Sequence, residues 1–185
     1  KSPIQNRNMP SGKTHDAITF FLIAPTFAAT YLVTKEIPIS TVVTAGMLIG
    51  GLMFGPDLDT VSKQYVRWGI FKFLWYPYQS FFAHRSRWSH GLIFGTLLRV
   101  IYFMGTLTLL AFLALYFYAA YTDGDLPNLL QITKTWMPIG EFIRTNIGDY
   151  AMPSLFAGLW LGAASHTFAD IAGTFIKTGR VTEFL

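Results

Sequence analysis

Residues 100–121 read VIYFMGTLTLLAFLALYFYAAY and contain no charged side chain. A membrane-spanning helix needs about 20 predominantly apolar residues, and this stretch provides them without interruption. The alternative is a buried helix in a soluble protein. It is less favoured, because a small soluble domain has little surrounding protein with which to cover a charge-free run of this length. The stretch therefore predicts an integral membrane protein.

The composition of the whole chain agrees with this interpretation. Of the 185 residues, 52% are hydrophobic and 13% are charged, whereas an average soluble domain has about 25% charged residues. This composition excludes a disordered or fibrous chain, because such chains are poor in apolar residues. The sequence contains no cysteine, which excludes disulfides, thiolate zinc sites and cysteine nucleophiles.

Three further apolar runs predict additional spans. The expected fold is all-α, an integral membrane four-helix bundle in which residues 1–185 form a single membrane domain. The spans are expected at residues 17–34, 39–55, 91–121 and 153–176. Pro25 is expected to kink the first span, and Pro153 suits the first turn of the fourth.

Residues 60–90 connect the second and third spans and include the stretch KQYVRWGIFKFLWYPYQSFF. Basic residues alternate here with aromatic ones, which is typical of an amphipathic segment lying on lipid headgroups. Nucleic acid is not expected as a partner, because a segment tethered between two spans meets lipid first. The lipid bilayer is therefore the expected partner of this interfacial segment.

Lysine and arginine are distributed unevenly between the two sides of a four-span topology. One side receives the basic residues Lys1, Arg7, Lys13, Lys63, Arg67, Lys72, Arg85, Arg87, Lys177 and Arg180. The other side carries at least as many acidic as basic residues. The positive-inside rule therefore places both termini and the interfacial segment in the cytoplasm, with Arg99 pointing toward the headgroups.

All four histidines and three aspartates fall near this same cytoplasmic side. They are His15, Asp57, Asp59, His84, His90, His166 and Asp170. Lysine and arginine set the topology, so random placement would scatter these seven residues over both sides. Imidazole and carboxylate suit zinc first, with manganese or iron as alternatives. The set is large enough for one or two ions of a divalent transition metal.

Most of these residues also have a simpler interpretation. His15 fits a helix cap, the turn at 57–59 follows a Gly-Pro pair, and the segment 84–90 fits the interface among arginines. His166 and Asp170 lie four apart, so both project from one helix face. Ionisable residues inside a span usually face a cavity or a partner. Because all seven residues fall near one side of the membrane, a shared metal site explains them better than a separate role for each residue.

Four motifs resemble those of a known family of small membrane proteins. They are SGKTHD at 11–16, GLMFGPDLDTVSKQYVRWG at 51–69, HRSRWSHG at 84–91 and SHTFAD at 165–170. From Met9 to Lys177 the chain resembles the YdjM-like inner-membrane hydrolases and their cyanobacterial-type branch of metal-binding proteins. That group is distantly similar to zinc-dependent phospholipase C, a helical phosphoesterase with a His/Asp metal cluster. The resemblance implies a location in the inner (plasma) or the thylakoid membrane. It also implies metal ligands at His15, Asp57, Asp59, His84, His90, His166 and Asp170.

Two functions stay open at this point. The first is a metal-dependent hydrolase that acts on a phosphoester or lipid headgroup at the cytoplasmic face. Asp59 or Asp170 would serve it as a base, and Arg85 or Arg87 would offset phosphate charge. The second is a non-catalytic accessory or assembly subunit of a membrane complex, whose metal is structural. In that case the aromatic residues of the third span pack on a membrane-protein partner, although such residues more commonly face lipid.

Overall fold

The computed structural model describes residues 12–82, 91, 94–122 and 124–179. The described part is all-α and contains no strand, as expected. Its α-helices are α1 (Gly12–Phe21), α2 (Ile23–Thr34), α3 (Ile37–Leu52), α4 (Lys63–Val66), α5 (Tyr76–Phe81), α6 (Phe94–Tyr121), α7 (Leu129–Ile147) and α8 (Ala151–Thr178). Short 3-10 helices cover Pro56–Asp59 and Gly69–Trp75.

Three described helical segments are long and apolar enough to cross a membrane. They are Gly12–Thr34, Ile37–Asp59 and Phe94–Tyr121, and they coincide with the first three expected spans. Helix α8 occupies the position of the expected fourth span but is not among them. Its apolar run is broken by buried polar residues, which include Thr167, Asp170 and Thr174. The four-helix membrane bundle therefore stays a prediction.

The first expected span consists of two helices with a one-residue interruption at Leu22. Pro25 explains the interruption, because it has no N–H to donate to the carbonyl of Phe21. The neighbouring hydrogen bonds are intact, since the amide of Leu22 donates to Ile18 at 3.0 Å and that of Thr26 donates to Leu22 at 2.9 Å. The chain therefore continues in the helical direction from α1 into α2.

Helices α3 and α8 form the most extensive helix pair of the described structure. Gly46 and Gly50 of α3 pack against α8, where Gly158 and Gly162 lie four residues apart in the same way. A methyl group at Gly50 would lie 2.3 Å from the carbonyl oxygen of Leu159, which no real structure accommodates. Small residues spaced by four on both helices therefore allow the two backbones to approach closely.

The apolar runs did not predict helix α7, because Lys134, Glu141 and Arg144 interrupt its apolar residues. A capping box begins it: the amide of Gln131 donates to Oδ1 of Asn128 at 2.9 Å, and the amide of Asn128 donates to Oε1 of Gln131 at 2.8 Å. Two donors at the helix start are thereby satisfied reciprocally. The helix ends at Gly148, whose φ of 121° is a conformation that favours glycine.

The described part of the expected interfacial segment packs against the first turns of α6. The ring of Trp75 is buried and lies parallel to that of Phe103, with centroids 5.7 Å apart, and the hydroxyl of Tyr102 donates to the carbonyl of Leu74. Arg99 is consequently only 1% exposed. The expectation that Arg99 points toward the headgroups is wrong, because the aromatic segment covers this part of α6.

Candidate metal centre

Three ionisable side chains from opposite ends of the chain meet in the interior. They are His15 of α1 and the α8 residues His166 and Asp170. All three are buried, and one potential ligand atom from each lies within 4.8 Å of those of the other two. Among the described residues this is the group that can hold a metal ion.

The atoms of this group are close but mostly not hydrogen-bonded. Nε2 of His15 lies 3.1 Å from Oδ1 of Asp170, and Nε2 of His166 lies 3.7 Å from Oδ2 of the same carboxylate. The two imidazole rings are stacked, with centroids 3.7 Å apart and planes inclined by 11°. Within the described structure, Nε2 of His166 and Oδ1 of Asp170 have no hydrogen-bond partner.

These distances fit a divalent transition metal. First-row ions bind imidazole nitrogen and carboxylate oxygen at about 2.0–2.2 Å, so two ligands of one ion lie roughly 3–3.5 Å apart. The pair His15 and Asp170 has this spacing already. Buried polar atoms that lack hydrogen bonds are costly, and a metal ion would satisfy those of His166 and Asp170. The donor set of two imidazoles and one carboxylate suits zinc, manganese or iron.

Asp57 adjoins the group from the 3-10 helix that follows α3. Its Oδ2 lies 3.2 Å from Nε2 of His166, and its side chain is 30% exposed. The hydroxyl of Ser62 donates to the carbonyl of Asp57 at 2.8 Å and so fixes the backbone of this turn. The segment that follows the second expected span thus brings Asp57 beside His166. Asp57 marks the side from which solvent reaches the buried group.

Packing of α1 against α3 brings His15 to the site. The hydroxyl of Thr19 donates to the carbonyl of His15 at 2.9 Å, and Thr19 itself lies against Gly51. A methyl group at Gly51 would be 2.5 Å from Oγ1 of Thr19. Next to His15, Asp16 accepts a hydrogen bond from Arg67 at 2.6 Å. These contacts join α1 both to α3 and to the segment that follows it.

The side of His166 that faces away from Asp57 contacts Gln64 of α4. Nε2 of Gln64 lies 3.3 Å from Nδ1 of His166 and donates to the carbonyl of Gly51 at 2.9 Å. Gln64 was not among the predicted site residues. The available signal was its position inside one of the four motifs, where a neutral amide stands among basic and aromatic residues.

A family model described as "Uncharacterized metal-binding protein (DUF2227)" matches residues 10–180 of the chain. The chain belongs to this family. A relative described as "Uncharacterized protein", from Aquifex aeolicus strain VF5, is 32% identical over 133 residues. That alignment covers 71% of this chain and 89% of the relative. No solved structure matches the chain.

Membership in the DUF2227 family agrees with the geometry of the site, because the family is described as metal-binding and the matched range includes His15, His166 and Asp170. The expectation that the chain belongs to a family of metal-binding proteins is thus confirmed. The YdjM-like name and the hydrolase activity are not part of the family's description, and they stay predictions.

Asp59, two residues after Asp57, has different surroundings from the group of three. It is buried, and it interacts electrostatically with Arg99 of α6 and Tyr78 of α5. Burial raises the pKa of Tyr78, Arg99 opposes this increase, and Asp59 adds to it. The role of Asp59 as a ligand or base of this DUF2227 protein stays a prediction.

The other predicted site residues lie outside the described part of the chain. They are His84, Arg85, Arg87 and His90. Their assignment as ligands or as phosphate-binding residues rests on the sequence alone.

Proposed function

We propose that this protein is a membrane-embedded, metal-dependent hydrolase whose substrate is a phosphoester or lipid headgroup at the cytoplasmic face. The observation that carries the proposal is the burial of His15, His166 and Asp170 around one point, with the partly exposed Asp57 beside them. Buried ligands on one side and solvent access on the other are typical of a catalytic centre, since a catalytic zinc site keeps one position open.

His15, His166 and Asp170 would hold the ion, and zinc is the first choice for two imidazoles and a carboxylate. When bound, such an ion polarises a phosphoryl oxygen and activates a water molecule for attack. The protein excludes bulk water from the three ligands, which are all buried. Water and substrate would therefore approach from the side of Asp57.

Asp57 would act as the base of this reaction. Its carboxylate adjoins His166 at 3.2 Å and is in contact with solvent, so it can accept a proton near the ion and pass it on. Asp170 interacts with both imidazoles, which favours a role as ligand over its predicted role as base. Asp59 stays the alternative base, and it interacts electrostatically with Arg99.

Two exposed basic residues lie near the site and favour an anionic substrate. Lys63 and Arg67 both pair with Asp16, the residue after His15. A local excess of positive charge raises the concentration of anions such as phosphoester headgroups. In the four-span topology these residues lie at the cytoplasmic headgroup level, where lipid phosphates are found.

The proposal is tested on protein purified in detergent without chelators. Metal content is measured by elemental analysis, and hydrolysis is measured with a chromogenic phosphodiester and with phospholipid in mixed micelles. We expect bound zinc and metal-dependent hydrolysis in the wild type, and loss of both in His166→Ala. The control is Glu141→Gln, which removes an exposed carboxylate of α7.

A second candidate is the accessory subunit with a structural metal. The most apolar part of α6 is not buried by any part of the described chain, and its carboxyl-terminal half exposes Phe117, Tyr118 and Tyr121. Such a surface suits a partner helix as well as lipid. Stoichiometric metal without hydrolysis of either substrate would support this candidate, whereas absence of metal from the wild type would contradict both.

A further inference from the structure

The side chain of Gln64 is enclosed between the end of α3 and His166. It is 4% exposed, and a methyl group at Gly55 would lie only 2.3 Å from its Nε2. One N–H of the amide donates to the carbonyl of Gly51 at 2.9 Å. Oε1 is buried and has no hydrogen-bond partner in the described structure. An enclosed amide with one unsatisfied end calls for a physical explanation.

The contact with His166 determines where that imidazole carries its proton. The second N–H of Gln64 faces Nδ1 of His166 at 3.3 Å, so Nδ1 is the acceptor. A neutral imidazole has one donor and one acceptor nitrogen. Its proton is then on Nε2, the atom that lies 3.2 Å from Asp57. With the amide in this orientation, the nitrogen that faces the metal group has no free lone pair.

Binding of a metal through Nε2 requires the opposite arrangement. Nε2 must then be unprotonated, the ring proton must be on Nδ1, and Nδ1–H needs an acceptor. Metal-binding histidines commonly donate this second N–H to a carboxylate, a carbonyl or a water molecule. Oε1 of Gln64 becomes that acceptor when the amide group turns by half a rotation. The turn gives up the hydrogen bond to Gly51 and gains one from His166. It also brings Oε1 next to the carbonyl oxygen of Gly51, and the metal–ligand bonds must offset this repulsion between two acceptors.

We propose that Gln64 is the positioning residue of His166, and that the orientation of its amide selects between a metal-free and a metal-binding form of the ring. In the metal-free form Nε2 of Gln64 donates to Nδ1, as the structure has it. In the metal-binding form Oε1 accepts from Nδ1–H. This inference rests on the proposed metal site, and it does not depend on whether the protein hydrolyses anything.

The test is the affinity of the full-length protein for Zn²⁺, measured in detergent by competition with a fluorescent zinc chelator. Gln64→Met keeps the length of the side chain but removes the acceptor, and we expect zinc affinity to fall about 10- to 100-fold. Gln64→Glu keeps an acceptor but cannot donate to Gly51. It should bind zinc more tightly than Gln64→Met. Gln131→Met, a substitution of the same type in the cap of α7, should leave the affinity unchanged.

A second measurement uses the wild type alone, so it tests the proposal even if Gln64→Met does not fold. The ring nitrogens of His166 are observed by ¹⁵N nuclear magnetic resonance, and their signals are assigned by their absence from His166→Ala. We expect the ring proton on Nε2 without zinc and on Nδ1 with zinc.

The outcomes separate this inference from the proposed function. If Gln64→Glu loses as much affinity as Gln64→Met, or if the ring proton occupies the same nitrogen with and without zinc, Gln64 only fills space and the inference is wrong. If the wild type binds no zinc, manganese or iron, the metal site itself is wrong and the inference falls with it.

Discussion

The imidazole rings of His15 and His166 lie parallel at a centroid distance of 3.7 Å, although they come from opposite ends of the chain. The carboxylate of Asp170 joins them, since one of its oxygens lies 3.1 Å from His15 and the other lies 3.7 Å from His166. The amino-terminal and carboxyl-terminal helices are thus connected through one small group of ligand atoms. A metal ion at this point would link the two helices directly.

This relationship predicts that His15 is as important for metal binding as His166. The sequence alone also allows His15 to be a helix cap. Because both rings now face one carboxylate, we expect either substitution to remove nearly all bound zinc from purified protein. Elemental analysis of the two variants beside wild type and Glu141→Gln checks this. A His15→Ala variant that retains full zinc occupancy would show that α1 contributes no ligand.

The close approach of α3 and α8 predicts a strong effect of small substitutions at their glycines. In Gly158→Ala the added methyl group would lie 2.2 Å from the carbonyl oxygen of Val43. Overpacking of this kind costs about 1–3 kcal/mol. We expect this loss in the free energy of unfolding, together with weaker zinc binding, because α8 carries two of the ligands.

The control for this experiment is Gly105→Ala. Gly105 belongs to α6, and no atom lies within 4 Å of a methyl group placed there. Its substitution should leave both stability and zinc affinity unchanged. Unfolding is followed by circular dichroism during titration of the detergent-solubilised protein with a denaturing detergent. Equal stability of Gly158→Ala and Gly105→Ala would contradict the packing seen between α3 and α8.

Burial of Arg99 among acidic and phenolic groups predicts that it stabilises the turn carrying Asp57 and Asp59. Arg99 is fully enclosed and interacts electrostatically with Tyr78 and with both carboxylates. Removing one partner of a buried ion pair costs about 3–5 kcal/mol, because the other charge is left uncompensated. We expect Arg99→Met to destabilise the protein by this amount, as measured by the same unfolding titration.

A double substitution separates charge compensation from packing. Arg99→Met combined with Asp59→Asn should recover a large part of the lost stability, since no unpaired charge then stays buried. Arg144→Met, at an exposed position of α7, serves as the control and should have little effect. A double variant no more stable than Arg99→Met would show that Arg99 acts through packing alone.

The distribution of basic residues predicts opposite locations for two points of the chain. A reporter fused after Asp125, in the connection between α6 and α7, should report the outer side, and one fused after Leu185 should report the cytoplasm. Paired fusions to alkaline phosphatase and green fluorescent protein distinguish the two sides. The same side for both fusions would contradict the four-span topology and the cytoplasmic position of the metal group.

Part of the candidate site was predicted from sequence because it depends on local geometry. The spacing of four between His166 and Asp170 places both on one helix face, and the apolar runs indicated where the first three apolar helices lie. The position of Asp57 near the end of α3 also follows from the sequence, because only a short turn separates them. In contrast, the contacts of Gln64 and Arg99 could not be predicted. The residues that they contact lie far away in the sequence, and helical spacing gives no information about such contacts.

The sequence by itself determined the all-helical fold, the first three of the four predicted apolar segments, and the residue types available to a metal. These properties follow from hydropathy over about 20 residues and from helical spacing, both of which are local. Only the tertiary structure decided which candidates meet: His15 with His166 and Asp170, and Asp59 instead with Arg99 and Tyr78. The physical reason is the glycine-lined contact of α3 with α8, together with that of Thr19 with Gly51. These close contacts set the relative positions of helices that lie far apart in the sequence.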